Sequence, residues 1–150
     1  AVASTSGTSI DFTGIPSWVK RITVMLNGVS TNGSSAVQIQ LGSGSVVTTG
    51  YGGSGTSLNA SATATSSYTS GFAFGQSSQS AVMVRNGHLI LTLVSGNIWV
   101  ASGLIARSDG AETQLTGGVL TLSGTLDRVR ITTVNGTDTF DAGSINILYE

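Results

Sequence analysis

The sequence predicts an all-β domain, folded as an antiparallel β-sandwich. Apolar residues recur at every second position along several segments, which is the spacing that places side chains on one face of a strand. Glycine-containing turn pairs separate these segments, and helical periodicity is nearly absent. Many short strands joined by regular turns are typical of sandwiches, and we expect a jelly-roll-like arrangement because such folds limit exposed strand edges.

Four segments show the alternation most clearly. The segment at residues 37–41 places Gln38 and Gln40 between apolar neighbours, which predicts a strand with one buried and one solvated face. The apolar or inward positions of the four segments are Ile22, Val24 and Leu26; Val37, Ile39 and Leu41; Val129, Ile131 and Thr133; and Ile145, Ile147 and Tyr149.

The turns follow a chemical pattern of their own. Four Asn-Gly pairs occur, and Asn-Gly favours type I′ turns because both central residues need a positive φ. Asn86-Gly87 lies between two apolar runs and predicts a two-residue hairpin. The run that follows, residues 89–94, is apolar on both faces. Either this strand is central and covered on both sides, or its second face meets another subunit, and we favour oligomerisation.

Length and composition narrow the class of protein. A chain of 150 residues fits one domain, and we assign residues 8–150 to it and residues 1–7 to a linker or the cut edge of a longer protein. There is no cysteine, so disulfides and thiolate metal sites are excluded. Net charge is −1 and no basic patch is present, which argues against nucleic-acid binding. No apolar run is long enough to span a bilayer.

The chemistry of the side chains favours a structural or recognition protein over an enzyme. No charged residue lies between Arg21 and Arg85, so that stretch offers only neutral hydroxyl and amide groups. The single histidine, His88, is not accompanied by a recognisable motif for a catalytic nucleophile. The glycine-rich segments lack the Lys-Ser/Thr of a phosphate-binding loop. Asp138 and Asp141 are either calcium ligands or carboxylates that cap a turn. We therefore predict no catalytic residue, no metal ligand and no cofactor.

Large aromatic side chains are the ligand-binding candidates. Tyr51 and Tyr68 stand in the Gly-, Ser- and Thr-rich residues 50–80, which form either a surface excursion or a binding loop. Trp99 faces outward if its neighbours Ile98 and Val100 face the core, and it then lies at an interface or against a glycan. Trp18 and Trp99 are each either a platform for a sugar ring or a core residue.

Two parts of the chain resemble small β domains of tailed-bacteriophage and prophage tail genes. The opening IDFTGIPSWVKRIT at residues 10–23 is similar to the start of those domains. The segments GTLDRVRIT at 124–132 and FDAGSINILYE at 140–150 are similar to their end. The middle third matches no motif of the family.

The resemblance implies a terminal module of a tail fibre or related virion protein, commonly trimeric, that attaches to the host surface. We therefore expect a non-enzymatic receptor-binding domain that recognises a bacterial surface glycan or protein and contacts other tail proteins. It would be made in the host cytoplasm and act extracellularly on the virion. The alternatives are a structural virion protein with no host receptor, a carbohydrate-active enzyme such as a depolymerase, and a bacterial carbohydrate-binding module.

Overall fold

The computed structural model describes all 150 residues and consists of strands, turns and loops, without a helix. Its thirteen strands are β1 Val2–Ala3, β2 Ser9–Thr13, β3 Arg21–Thr31, β4 Val37–Ser43, β5 Ser45–Val46, β6 Gly52–Asn59, β7 Thr63–Tyr68, β8 Phe72–Ala73, β9 Arg85–Ser95, β10 Ile98–Arg107, β11 Glu112–Thr121, β12 Arg128–Thr133 and β13 Phe140–Tyr149.

The strands form two antiparallel sheets. The large sheet has eight strands in the order β1-β13-β3-β9-β10-β11-β6-β7. The small sheet has the order β2-β12-β4-β5, and β8 pairs with β4 beside that path. The chain passes repeatedly from one sheet to the other, so each sheet is assembled from segments that are separated in sequence by strands of the other sheet. The prediction of an all-β, sandwich-like fold is confirmed.

One apolar core lies between the sheets, built from the alternating positions that the sequence marked. Val24 and Leu89 of the large sheet and Ile39 and Ile131 of the small sheet are among its fully buried members. Because successive side chains of a strand point to opposite faces, each such strand sends only every second residue into this core. Fully burying one such side chain is worth roughly 1.5–3 kcal/mol relative to leaving it exposed.

The predicted hairpin at Asn86-Gly87 is wrong, because both residues lie inside β9. Gly87 pairs with Ile105 of β10 and with Leu26 of β3. Its φ is 145°, and a Cβ at this position would lie 2.3 Å from the carbonyl oxygen of Leu104. Glycine is therefore required here for close approach of two backbones and not for a turn. The hairpin between β9 and β10 turns instead at residues 96–97.

The segment at residues 50–80 is part of the fold and not a surface excursion. Strands β6 and β7 form a hairpin at the edge of the large sheet, and β8 joins the small sheet. The aromatic side chains of this segment are buried. The first residues are also built in, since Val2 and Ala3 pair with β13 and the backbone N–H of Ser4 donates to Gly143. Residues 2–4 thus contribute to the sheet, although we expected a linker there.

The strand that is apolar on both faces, β9, is the fourth of the eight strands in the large sheet. Its Leu89 and Leu91 enter the core, whereas no segment of the chain covers its other face. We define the open face as the outward residues of β9, β10 and β11, whose large apolar members include Ile90, Ile98, Val100, Leu104, Leu115 and Val119.

Candidate functional site: a polar groove on the small sheet

The two predicted tyrosine contacts are buried in the chain. Tyr51 is 3% exposed, and its hydroxyl accepts a hydrogen bond from the N–H of Leu41 at 2.8 Å and donates to the carbonyl of Val47 at 3.0 Å. Burial raises the pKa of Tyr51 to about 12. The Tyr68 hydroxyl donates to the carbonyl of Gly75 at 3.0 Å, and burial raises the pKa of Tyr68 as well. Both rings therefore anchor loops in this structure, and neither presents a face to a ligand.

The two tryptophans occupy opposite environments. Trp99 is 2% exposed and belongs to the core, so the condition under which it would face outward is not met. Its neighbours Ile98 and Val100 are the residues that face outward, because they share the other face of β10. Trp18 is 60% exposed and meets Tyr149 edge to face, with ring centroids 5.9 Å apart. The exposed aromatic pair is therefore Trp18 and Tyr149, at the end of the sandwich where β3 begins.

The outer face of the small sheet carries a concave surface lined almost entirely by polar residues, which we name the polar groove. It has a volume of about 290 Å³. Strands β2, β12 and β4 are neighbours, so their outward residues lie side by side across its floor. The lining residues are Thr8, Ser9, Gln38, Gln40, Thr48, Ser70, Arg130, Thr132, Thr133, Val134, Asn135 and Gly136.

The floor of the polar groove is held by two buried glutamines of β4. The Nε2 of Gln38 donates to the carbonyl of Thr133 at 3.2 Å, and its Oε1 accepts from the hydroxyl of Ser70 at 3.0 Å. The Nε2 of Gln40 donates to the Ser70 carbonyl at 2.8 Å. Buried amides with these partners are fixed in orientation. The Oε1 of Gln40 accepts no hydrogen bond from the chain and is left as an oriented acceptor.

The groove also contains hydrogen-bond donors that have no partner in the chain. Arg130 binds Asp11 through two parallel hydrogen bonds of 2.7 Å from Nε and Nη2, which leaves its Nη1 without a partner in the chain. The hydrogen bonds from Arg130 lower the pKa of Asp11. The hydroxyls of Ser9 and Thr48 also make no hydrogen bond within the chain. The groove thus offers hydroxyls, one amide oxygen and one guanidinium edge whose charge is already paired.

This arrangement can bind but offers little for covalent chemistry. The groove contains neither a carboxylate pair nor a histidine, and the only histidine, His88, lies on the outer face of the other sheet. The set of free groups matches a neutral ligand that both donates and accepts hydrogen bonds. Its volume lies near the lower end of small-ligand sites, which span roughly 300–1,000 Å³.

A larger depression of about 600 Å³ lies at one end of the large sheet, between the β6–β7 and β10–β11 turns. Its charged groups are already engaged with each other. Arg107 binds Asp109 at 2.5 Å and Glu112 at 3.4 Å, and its hydrogen bonds lower the pKa of Asp109 to about 2. We favour the polar groove as the recognition site because hydroxyl and amide side chains make up most of its lining, whereas four of the nine residues that line the larger depression are hydrophobic.

Sequence reasoning missed the residues of the groove. Gln38 and Gln40 were assigned to a solvated face, although they are 2% and 5% exposed. The available signal was the uncharged character of the outward positions of residues 38–40, together with Thr132 on a neighbouring strand. That signal does not reveal which strands are neighbours. Asp138 and Asp141 do not meet; Asp138 accepts from the N–H of Ser35 and the side chain of Asn135.

Comparison with known proteins gives no relative, since neither a protein-family model nor a curated protein matches the chain. No helix in the structure has the length and apolar character needed to cross a membrane.

Proposed function

We propose that this chain is a non-enzymatic attachment domain of a phage tail fibre or tail tip, which binds a neutral glycan on the bacterial surface in the polar groove. The chain would act as a homotrimer with a jelly-roll-like sandwich, alongside other tail proteins. It would work outside the cell on the virion after synthesis in the host cytoplasm. The resemblance of residues 10–23, 124–132 and 140–150 supports the phage origin.

The observation that carries the proposal is the lining of the polar groove. Hydroxyl and amide groups make up most of it, and its one cation is paired with Asp11. A sugar presents alternating hydroxyl donors and acceptors, so oriented partners such as Gln40 and Ser9 complement it without charge. Specificity through buried polar groups is strong because a ligand that lacks the matching hydroxyl leaves them unpaired.

The test is adsorption to bacterial cells and binding to an array of bacterial surface polysaccharides. Ser9→Trp fills the groove from β2, and we expect it to abolish binding while leaving the fold intact. Thr13→Trp is the matched control, because Thr13 lies on the same face of the same strand, four residues further along and outside the groove. Equal loss of binding in both variants, or in neither, would contradict the groove as the binding site.

Enzymatic action on the same glycan has a separate readout. Incubation with capsule or lipopolysaccharide should release no reducing sugar, because the groove holds no pair of carboxylates to act as acid and base. Sugar release by the wild-type chain that Ser9→Trp abolishes would replace the proposal with a depolymerase.

A second candidate is a structural virion protein that binds other virion proteins and no host receptor. The open face favours this function, since exposed apolar surface on a sheet is suited to protein contact. Labelled protein located within the tail or capsid body, combined with unimpaired adsorption of particles carrying Ser9→Trp, would support it.

A further inference from the structure

The open face carries two apolar ridges that cross β10 and β11. Val100 of β10 pairs with Val119 of β11, and Leu104 pairs with Leu115. The four side chains are 39%, 41%, 48% and 36% exposed, in the order Val100, Val119, Leu104 and Leu115. Between the ridges, Ser102 and Gly117 form a furrow of small residues. The surface is therefore corrugated as well as apolar.

Neighbouring strands extend this surface. Ile90 of β9 pairs with Ser102 and therefore lies in the same cross-strand row as Ser102 and Gly117. Thr23 of β3 follows in the same row, and Leu148 of β13, which is 59% exposed, ends it. Large exposed apolar surface on a folded domain is typical of an interaction site.

The area is sufficient for a stable association. Strands β3, β9, β10, β11 and β6 are adjacent and contain 8 to 11 residues each. Five strands about 4.8 Å apart and roughly 33 Å long cover about 800 Å². A standard stable protein interface buries about 800 Å² on each partner. The open face, together with the outward residues of the flanking strands β3 and β6, is thus about as large as one side of such an interface.

The charge pattern indicates that the occupant is another copy of this chain. The outward residues of β9, β10 and β11 include no Asp, Glu, Lys or Arg, so they offer little to complement a strongly basic or acidic partner. Two copies of such a face can meet without repulsion between carboxylate, ammonium or guanidinium groups, and a ridge of one copy can seat in the furrow of the other. The ion pair of Arg21 with Glu150 lies beside the open face, since Arg21 pairs with Thr92 of β9, and its side chains are 49% and 65% exposed.

We propose that the open face is the surface through which copies of this chain associate. The inference rests on the self-association in the proposed function and assigns it to β9–β11. Leu104 and Leu115 lie one row from the middle of the face, and the most completely desolvated contacts of an interface are found near its middle.

The test is the mass of the particle in solution, measured by light scattering over a dilution series of the full chain. We expect the wild type to have a multiple of the single-chain mass and Leu104→Lys/Leu115→Lys to have the single-chain mass. The double variant should weaken association by about a hundredfold or more, because unpaired ammonium groups would be buried at the contact. Val82→Lys is the matched control, since Val82 is 71% exposed but lies in the loop before β9.

Circular dichroism is the check that the double variant keeps the β fold. A second double variant, Val100→Asp/Val119→Asp, should also have the single-chain mass. An oligomeric wild type whose mass survives both double variants would overturn the open face as the contact, and a monomeric wild type would overturn self-association itself. Capture of a different protein, or of neutral phospholipid vesicles, by a monomeric chain would assign the face to that partner. None of these measurements involves the glycan. A failure of polysaccharide binding would therefore overturn the groove proposal without affecting the open-face proposal.

Discussion

The hydroxyl of Tyr51 fastens the loop that leads into β6 to the buried strand β4. Removing it in Tyr51→Phe deletes one oxygen atom and keeps the ring in its edge-to-face contact with Phe72, whose centroid is 5.0 Å away. Two hydrogen bonds are lost, from the Leu41 N–H at 2.8 Å and to the Val47 carbonyl at 3.0 Å. An unsatisfied buried donor costs about 1–3 kcal/mol, so we expect the free energy of unfolding at pH 7 to fall by that amount.

The same hydroxyl predicts a pH dependence. Because the folded-state pKa of Tyr51 is about 12 and the ordinary value is 10.0, the folded chain keeps this proton where the unfolded chain releases it. The contribution of Tyr51 is therefore fully present below pH 10 and is lost as the pH rises through 12. A shift of 2 units corresponds to about 3 kcal/mol of lost stability across that window.

Urea unfolding followed by tryptophan fluorescence, at one fixed protein concentration, measures both effects. The stability difference between wild type and Tyr51→Phe should be largest below pH 10 and shrink towards pH 12. Other groups that titrate in this range are common to both proteins and cancel in the difference. Equal unfolding midpoints at pH 7, or a difference that stays constant from pH 9 to 12, would refute the anchoring role of this hydroxyl.

Three further perturbations test other parts of the structure. Gly87→Ala should lower stability by about 2–5 kcal/mol in thermal unfolding, because its Cβ would meet the Leu104 carbonyl at 2.3 Å in a strained conformation; a loss below 1 kcal/mol would contradict the strand register. Arg85 is fully buried, has no carboxylate partner within ion-pair distance, and donates to the side chain of Gln79 at 2.7 Å. Gln79→Leu should therefore lower the free energy of unfolding, measured by chemical denaturation, by about 3 kcal/mol, and Arg85→Met should lower it markedly less. Only Gln79→Leu leaves a buried charge without its acceptor. A larger loss in Arg85→Met than in Gln79→Leu would disprove this role of Gln79. The hydrogen bonds from Arg107 hold the pKa of Asp109 at about 2, so its stabilising contribution is present above pH 3.8 and lost as the pH falls to 2; an acid unfolding curve unchanged by Asp109→Asn would exclude this role.

The strand class and the inward faces followed from the sequence because alternation is a local property. Ile39 and Ile131 were assigned to buried faces from their spacing alone, and both are fully buried. Asn86-Gly87 failed for the opposite reason, since turn propensity is local but the crowding that needs Gly87 comes from β10. The sequence alone does not distinguish a glycine that is required by a neighbouring backbone from a glycine that is required by a turn.

The candidate site depends on long-range neighbours, and these were not predictable. The polar groove exists because Ser9 pairs with Thr132, which is 123 residues away, and Gln40 pairs with Arg130, which is 90 residues away. Trp18 and Trp99 show the same limit, since the alternation around Trp99 left two assignments of faces open and only the packing of β10 between β9 and β11 decides between them. Pairing between distant strands sets which outward faces adjoin, and periodicity carries no information about it.

The most direct test of glycan binding is a nuclear magnetic resonance titration of the full chain with the surface polysaccharide that it binds best on the array. We predict that the side-chain amide of Gln40 and the backbone amides of Ser9 and Thr48 shift together and saturate at one concentration. The indole N–H of the exposed Trp18 serves as an internal control and should remain unshifted. Saturating shifts at Trp18 and Tyr149 with a silent groove would contradict the account.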